Sequence, residues 1–303
     1  MCIMIYEENN RKDVKIIIDI IKRTLGGHYM DAYSKLEALK DKLKSMESVV
    51  VAFSGGVDSS FLVKVAHDVL GDKVLAVTAR SSTFPEREFK EAVEFAAQYN
   101  IPHRVVFSEE LEVEGFADNP RNRCYLCKQE LFSKMKQLAA NEGYKYVVEG
   151  SNYDDTGDYR PGLQAISELG IASPLREVGL TKNEIRLLSK EMGLKTWDKP
   201  SFACLSSRFP YGERITKEKL EMVDKAEQTL IDMGFRQVRV RHHGSVARIE
   251  VNEEEFGRFI DSKIRDEIYS RFKELGFLYV ALDLKGYRTG SMNEGFFNKK
   301  QEN

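Results

Sequence analysis

Residues 49–59 read Val-Val-Val-Ala-Phe-Ser-Gly-Gly-Val-Asp-Ser, and the fold is decided by how this run is read. Val49 to Phe53 is short, apolar and β-branched, the composition of a parallel strand buried on both faces. Ser54, Gly55, Gly56 and Ser59 follow as a tight small-residue loop, and Phe61 to Leu70 then reads as a helix. Adjacent glycines let the backbone turn sharply and let a ligand approach bare N–H groups. A helix N-terminus adds its own free N–H groups and the positive end of its dipole. Strand, glycine loop and helix together make an anion cradle, most often for phosphate. A plain strand-to-helix turn would need only the glycines, whereas here two hydroxyls and the Asp58 carboxylate share the same six residues. The loop lacks the Gly-Lys-Ser/Thr ending of a Walker motif.

Downstream, strands alternate with helices. Val74 to Thr78, His103 to Phe107 and Tyr144 to Glu149 read as strands, with helices over Arg87 to Tyr99 and Lys128 to Ala140 between them and Leu36 to Met46 upstream. The alternation predicts an α/β fold, a parallel sheet wrapped by helices on both faces. Ligands bind such sheets at the carboxyl ends of the strands, so the loops after Phe53, Thr78 and Glu149 are the candidate site walls. Thr181 to Met192 reads as a further helix, with Thr181 and Glu184 in capping-box positions. The pattern changes near Pro200. A helix from Lys217 to Met233, strands Gln237 to Arg241 and Val246 to Val251 about a turn at His243-Gly244, a broken helical region from Glu253 to Leu275 and a strand from Tyr279 to Leu284 form a compact αββαβ unit. The expected division is an extension over 1–33, a first domain over 34–200 and a small α+β domain over 201–303. Within the extension, Val14 to Leu25 reads as a short amphipathic helix.

Composition narrows the function classes. The chain has 303 residues, 42% hydrophobic and 31% charged, an ordinary globular balance. A net charge of −2 supplies no global field to recruit nucleic acid. No apolar run approaches the roughly 18 residues of a membrane span. Met1 to Asn10 lacks the basic start and apolar core of a signal peptide, so a cytoplasmic setting is expected, where structural disulfides are rare.

The four cysteines therefore need another explanation. Cys2 lies in the terminus. Cys124 and Cys127 form a Cys-x-x-Cys pair at a predicted loop-to-helix junction, where thiol pKa values fall and thiolates become nucleophiles or ligands. Cys204 lies far along the chain, at the expected domain junction. A redox dithiol would leave Cys204 idle. Structural zinc would need a fourth ligand, and none stands at a recognisable spacing. Three thiolates on an iron–sulfur cluster leave one iron open for chemistry.

The string Ser54-Gly-Gly-Val-Asp58-Ser59 resembles the pyrophosphate loop (PP-loop) of the ATP pyrophosphatases, a superfamily with a Rossmann-like parallel sheet. That resemblance implies cleavage of ATP to AMP and pyrophosphate with adenylation of an acceptor. Ser54, Gly55, Gly56 and Ser59 would hold pyrophosphate and Asp58 would help hold Mg²⁺, a hard ion suited to an oxygen ligand. Three longer strings are more specific: Pro200-Ser-Phe-Ala-Cys204-Leu-Ser-Ser-Arg208-Phe-Pro-Tyr-Gly212, Asp158-Tyr-Arg-Pro-Gly162 and Arg239-Val-Arg241. Together they resemble the LarE family, over about residues 38 to 295. The family comprises ATP-dependent sulfurtransferases of nickel-pincer cofactor biosynthesis. They adenylate a carboxylate of pyridinium-3,5-biscarboxylic acid mononucleotide and convert it to thiocarboxylate.

In some members a cysteine at the position of Cys204 is a sacrificial sulfur donor. In others a Cys-x-x-Cys is present as well, and the three thiols resemble ligands of a 4Fe-4S cluster whose open iron carries sulfide. This chain looks like the three-cysteine kind, with Cys124, Cys127 and Cys204 as ligands. Bottom-up, a carboxylate is a poor electrophile until adenylation gives it AMP as a leaving group. Arg239 and Arg241 flank Val240 on a predicted strand and share a face, which suits a substrate phosphate. Ser207, Arg208 and Glu227 are further candidates for that pocket. Thr78 to Ser81 are expected to line the adenosine pocket. Lys128, Arg160 and Arg176 are a candidate cluster for ATP phosphates, with surface salt bridges as the default reading. His242 and His243 are expected in the hairpin turn as structural residues. Nothing around Trp197 identifies a ligand.

The small-molecule mononucleotide is the expected partner, with the sulfide source unspecified, and the resemblance implies a homo-oligomer. Competing readings are a tRNA or nucleobase sulfur-transfer or desulfuration enzyme with the same loop and cluster, an NAD- or GMP-type synthetase, and a non-enzymatic sensor. The synthetase reading leaves the three cysteines unexplained. The tRNA reading requires a phosphate-tracking basic surface.

Overall fold

The structure is a computed structural model, and it describes residues 27–157 and 161–293. The Val14 to Leu25 helix, Cys2, Arg160 and Asp158 to Arg160 of the Asp158–Gly162 string lie outside the described residues. Four parallel strands form the first sheet in the order β3-β2-β1-β4: β1 (Val49–Ala52), β2 (Val74–Arg80), β3 (His103–Phe107) and β4 (Tyr146–Val148). Val49 pairs with Val74 and Tyr146, which sets the register at the centre of the sheet. The backbone of β1 alternates its valines across the sheet. Val49 and Val51 pack into one core with α1 (Gly27–Met46), α2 (Val57–Leu70), α3 (Glu86–Gln98), α6 (Pro174–Glu177) and α7 (Lys182–Glu191). Val50 enters the opposite core with Phe132 and Met135 of α4 (Arg123–Glu142) and Ile166 of α5 (Pro161–Glu168). This is a Rossmann-like α/β layer covered on both faces.

Several elements start earlier than the sequence pattern predicts. α1 begins at Gly27, ahead of Leu36, because Ala32 continues the Leu36–Leu39–Leu43–Met46 stripe into the core. It therefore runs through residue 33, the expected edge of the extension. α2 begins at Val57, so Asp58 and Ser59 belong to its first turn and not to the loop. α4 begins at Arg123, which puts both cysteines of the Cys-x-x-Cys pair within its first two turns. The predicted capping box is present: Thr181 accepts from the Glu184 backbone, and the Glu184 side chain accepts from Thr181.

The second unit has α8 (Lys217–Asp232), then β5 (Val238–His243) and β6 (Val246–Val251) as an antiparallel hairpin, α9 (Ser262–Glu274) and β7 (Tyr279–Leu282) parallel to β6. Its apolar core starts at Leu205, whereas the first unit's ends at Leu194. We propose the domain boundary at residue 200, inside that change of core. The hairpin turn is Gly244-Ser245, so His242 and His243 belong to β5. His242 is buried between the rings of Phe209 and Phe277. Among the described residues no helix is long and apolar enough to cross a membrane.

Candidate active site

A cavity of about 440 Å³ opens where the carboxyl ends of β1, β2 and β4 meet the 195–204 segment. Its floor is the glycine loop. Gly55 has φ +68°, and a Cβ there would stand 3.1 Å from the Ala92 side chain, so neither the turn nor the packing admits a larger residue. Two hydroxyls brace the loop: Ser54 Oγ and Ser59 Oγ lie 3.1 Å apart, and Ser59 Oγ donates to the Gly56 carbonyl at 3.3 Å. Gly150, after β4, lets the backbone come close, since a Cβ there would meet the Ser59 nitrogen at 3.1 Å.

Asp58 reaches into the cavity from the first turn of α2. Its Oδ2 accepts from Lys182 Nζ at 2.6 Å, while its Oδ1 is buried without a hydrogen-bond partner. Burial pushes the Asp58 carboxyl above its ordinary value, and the Lys182 ammonium offsets only part of that. A buried carboxylate oxygen with unused lone pairs beside a phosphate cradle fits a Mg²⁺ ion. Lys182 was not foreseen from the sequence. Its one signal is its position directly after the Thr181 cap, at the start of a helix. Lys199 was missed as well: its ammonium donates to the Gly55 carbonyl at 3.1 Å and pairs with Glu88 at 2.7 Å. Glu149, buried at the end of β4, accepts from Ser151 Oγ at 2.8 Å and also from Ser173.

Along the β2 wall, Thr78, Ala79 and Ser81 line the cavity. The Thr78 hydroxyl donates to the Phe53 carbonyl at 2.8 Å and so fixes β2 to the loop. Ser81 and Thr83 hydroxyls lie 3.1 Å apart, and Thr83 donates to the buried Glu110 carboxylate at 3.2 Å. Lys128 lines the same cavity, with its ammonium 5.4 Å from the Phe132 ring centroid. Arg176, on α6, is not part of the cavity wall, so the expected Lys128–Arg176 grouping does not form around it.

The sulfur side shares the cavity with the loop. Cys127 and Cys204 both line the cavity, and Cys124 stands one turn before Cys127. The Cys127 thiol lies 3.7 Å from Glu110 Oε1. Burial, followed by the Glu110 carboxylate and the other two thiols, pushes Cys127 well above the ordinary thiol value. Cys124 keeps surface exposure, yet desolvation of its sulfur also raises it, against the pull of Arg123. Among the described residues no three His, Cys, Asp or Glu side chains converge closely enough to hold a single metal ion. A cluster whose thiolates each take a different iron does not require that convergence. Three neighbouring thiols fit such a cluster in their donor chemistry.

Behind the Cys204 loop lies an arginine cluster, buried where a solvated strand face would have been exposed. Arg208 and Glu227 are both fully buried and form a two-pronged pair at 2.7 and 2.9 Å. Arg208 Nη1 also donates to the Ala203 carbonyl and the Ser207 hydroxyl, at 2.9 and 2.8 Å. Arg239 donates to the Val238 and Ser201 carbonyls, and Arg241 to the Ser207 carbonyl and Glu250. The predicted group of Ser207, Arg208, Glu227, Arg239 and Arg241 is thus brought together. It stands behind the cavity wall formed by Ser201, Phe202 and Cys204, with most of its donors engaged internally. Burial and the neighbouring Arg208 lower the Arg239 guanidinium to about 10.

The NAD synthase family matches residues 33–118, which span the loop and the first three strands. The chain is 45% identical over 260 residues to an uncharacterised protein of Synechocystis sp., covering 86% of this chain and 97% of the relative. It is 39% identical over 262 residues to the pyridinium-3,5-bisthiocarboxylic acid mononucleotide synthase of Lactiplantibacillus plantarum, covering 86% and 94%. A GMP synthase of Brucella melitensis is 29% identical over 252 residues, covering 72% of this chain and 48% of that longer enzyme.

Proposed function

The chain belongs to the LarE family of PP-loop enzymes, and from that premise we propose that it is an ATP-dependent sulfurtransferase acting on pyridinium-3,5-biscarboxylic acid mononucleotide. One observation carries the reading: a single cavity is lined both by the glycine loop and by Cys127 and Cys204. An adenylated carboxylate formed at the loop would be within the same enclosure as the sulfur that attacks it.

The residues divide the work. The loop N–H groups of Gly55 and Gly56, with the Ser54 and Ser59 hydroxyls, would hold the β- and γ-phosphates. Lys182 would leave Asp58 for a phosphate oxygen, freeing that carboxylate for Mg²⁺, the ion that neutralises charge on departing pyrophosphate. Thr78 and Ser81 would flank the adenosine, with Lys128 nearby. Cys124, Cys127 and Cys204 would hold a 4Fe-4S cluster, which when bound supplies a sulfide at its open iron. The arginine cluster behind Phe202 and Ser207 would receive the substrate phosphate, its grouped guanidinium forks being the reason. The acyl adenylate is then attacked by sulfur, the C–S bond forms, and AMP leaves with the C–O bond electrons.

Two experiments test this. Protein purified without oxygen should carry about four irons per chain with acid-labile sulfide, and Cys204→Ala should lose them. Iron-free protein that converts Cys204 to dehydroalanine on turnover would replace the cluster by the sacrificial route. Asp58→Ala should abolish pyrophosphate release with the melting temperature nearly unchanged, because Asp58's partner Lys182 can turn to solvent. Normal turnover in that variant removes Asp58 from the mechanism.

A further inference from the structure

Phe202, two residues before Cys204, carries guanidinium groups from three elements. Arg87, Arg208 and Arg239 lie 4.7, 5.0 and 5.2 Å from its ring centroid. Two of them are committed: Arg208 to Glu227 and the Cys204 loop, Arg239 to the Val238 and Ser201 carbonyls. Arg87 differs. It comes from the first turn of α3, on the nucleotide-loop side, and reaches toward α8 of the second unit. It is held by long ion pairs alone: Glu88, Asp224 and Glu227 each stand 3.7 Å away, within salt-bridge range but beyond hydrogen-bond distance. Glu88 is instead paired with Lys199 at 2.7 Å, and Glu227 with Arg208. The Arg87 Nη1 is buried and has no hydrogen-bond partner.

An unpartnered buried guanidinium donor is rare and unfavourable unless a ligand supplies the acceptor. The planar fork of arginine, laid on an aromatic face, is preorganised for an oxyanion. Phe202 forms part of the cavity wall and Arg87 stacks on its ring, so the spare donor lies one side chain behind the space that a substrate would enter. We propose that Arg87 is a substrate-binding residue that grips an oxyanion of the mononucleotide, so that the anion site is completed across the two units. This deepens the mononucleotide reading and rests on it. Because Arg87 stands at the start of the helix whose Ala92 abuts Gly55, the substrate would be gripped by the same element that shapes the nucleotide loop.

The test uses the full chain as wild type, Arg87→Gln and Arg87→Lys, with pyrophosphate release as the assay and ribose 5-phosphate as a calorimetric probe. Arg87→Gln should raise the KM for the mononucleotide about 10- to 100-fold, the size of one lost charge-assisted hydrogen bond. The KM for ATP should stay within about twofold and kcat should fall far less, with Arg87→Lys intermediate. Loss of ribose 5-phosphate binding alongside that change assigns the oxyanion as phosphate. An altered KM with unaltered probe binding assigns it as carboxylate. A mononucleotide KM unchanged in a folded Arg87→Gln, or an equal rise in the KM for ATP, overturns the proposal. Should Arg87→Gln not fold, an unchanged KM in Arg87→Lys overturns it equally. If wild type releases no pyrophosphate with the mononucleotide, the function reading fails by itself. Binding of ribose 5-phosphate by wild type but not by Arg87→Gln then keeps the oxyanion site, and equal binding ends it.

Discussion

At the residue scale, the Arg208–Glu227 pair connects stability to the reactive loop. Both side chains are fully buried, and Glu227 Oε1 also accepts from the Val240 backbone at 2.9 Å. Removing one partner leaves an uncompensated buried charge, so Arg208→Ala should cost about 3–5 kcal/mol, read as a lower urea midpoint. Burial alone would raise the Glu227 carboxyl, but the Arg208 guanidinium prevails and holds it below the usual glutamate value of 4.5. A carboxyl depressed in the folded state stabilises above its unfolded pKa, and that stabilisation is lost as pH falls through the folded value. Few of these partnerships were legible beforehand. The Ser54-Gly-Gly-Val-Asp58-Ser59 string identifies a phosphate loop because its chemistry is local. Lys182, Lys199 and Arg87 are ordinary surface-type residues in sequence, and only the folded chain brings the two lysines to the cavity and Arg87 onto the Phe202 ring of its wall.

Among the elements, α7 carries its start signal in plain sight. Thr181 and Glu184 satisfy two of the free N–H groups reciprocally, so Thr181→Ala should cost about 1 kcal/mol. Lys182 is the first residue of that helix, so the same variant should also weaken ATP binding by loosening the Asp58 partner; unchanged nucleotide affinity would separate the cap from the site. The starts of α2 and α4 were read late for a physical reason. Neither has a side-chain cap: Gly56 and Asn122 precede them without a side-chain cap bond. The first turns, Val57-Asp58-Ser59 and Arg123-Cys124, therefore look like loop. The junctions themselves were foreseen, but Asp58 and the Cys-x-x-Cys thiols fall inside the first turns of the helices and not ahead of them. The His242-His243 turn was misread similarly, since the two-residue turn falls at Gly244-Ser245 and burial of His242 against Phe209 and Phe277 extends β5.

On the scale of the whole molecule, the two layers were legible from alternation and the cavity between them was not. Strand periodicity reports what each unit buries, but not how the two units meet. One expected outcome belongs here. Burial lowers both His103 and His242 below the ordinary 6.5, and for His242 it outweighs the nearby Glu213. The unfolded chain therefore binds protons first as pH drops. Stability should be full above about pH 6.5 and decline on acidification toward the depressed folded values. Urea midpoints at pH 7.5 and 5.5 check this, and His242→Asn should flatten the slope; a flat wild-type profile would contradict it.

The 199–205 segment is moored at both ends to the first unit: Lys199 to Gly55 and Glu88, and the Leu205 N–H to the Thr83 carbonyl at 2.9 Å. The chain crosses between its two cores within that moored stretch. The halves thus cannot drift apart without first unpicking the nucleotide floor, and melting of either becomes a shared event. A nucleotide that binds only the intact floor at 100 times its Kd would add about 2.7 kcal/mol to both halves at once. ATP would then act on this protein as a clasp as well as a reagent, lengthening the lifetime of the C-terminal half along with that of the nucleotide floor.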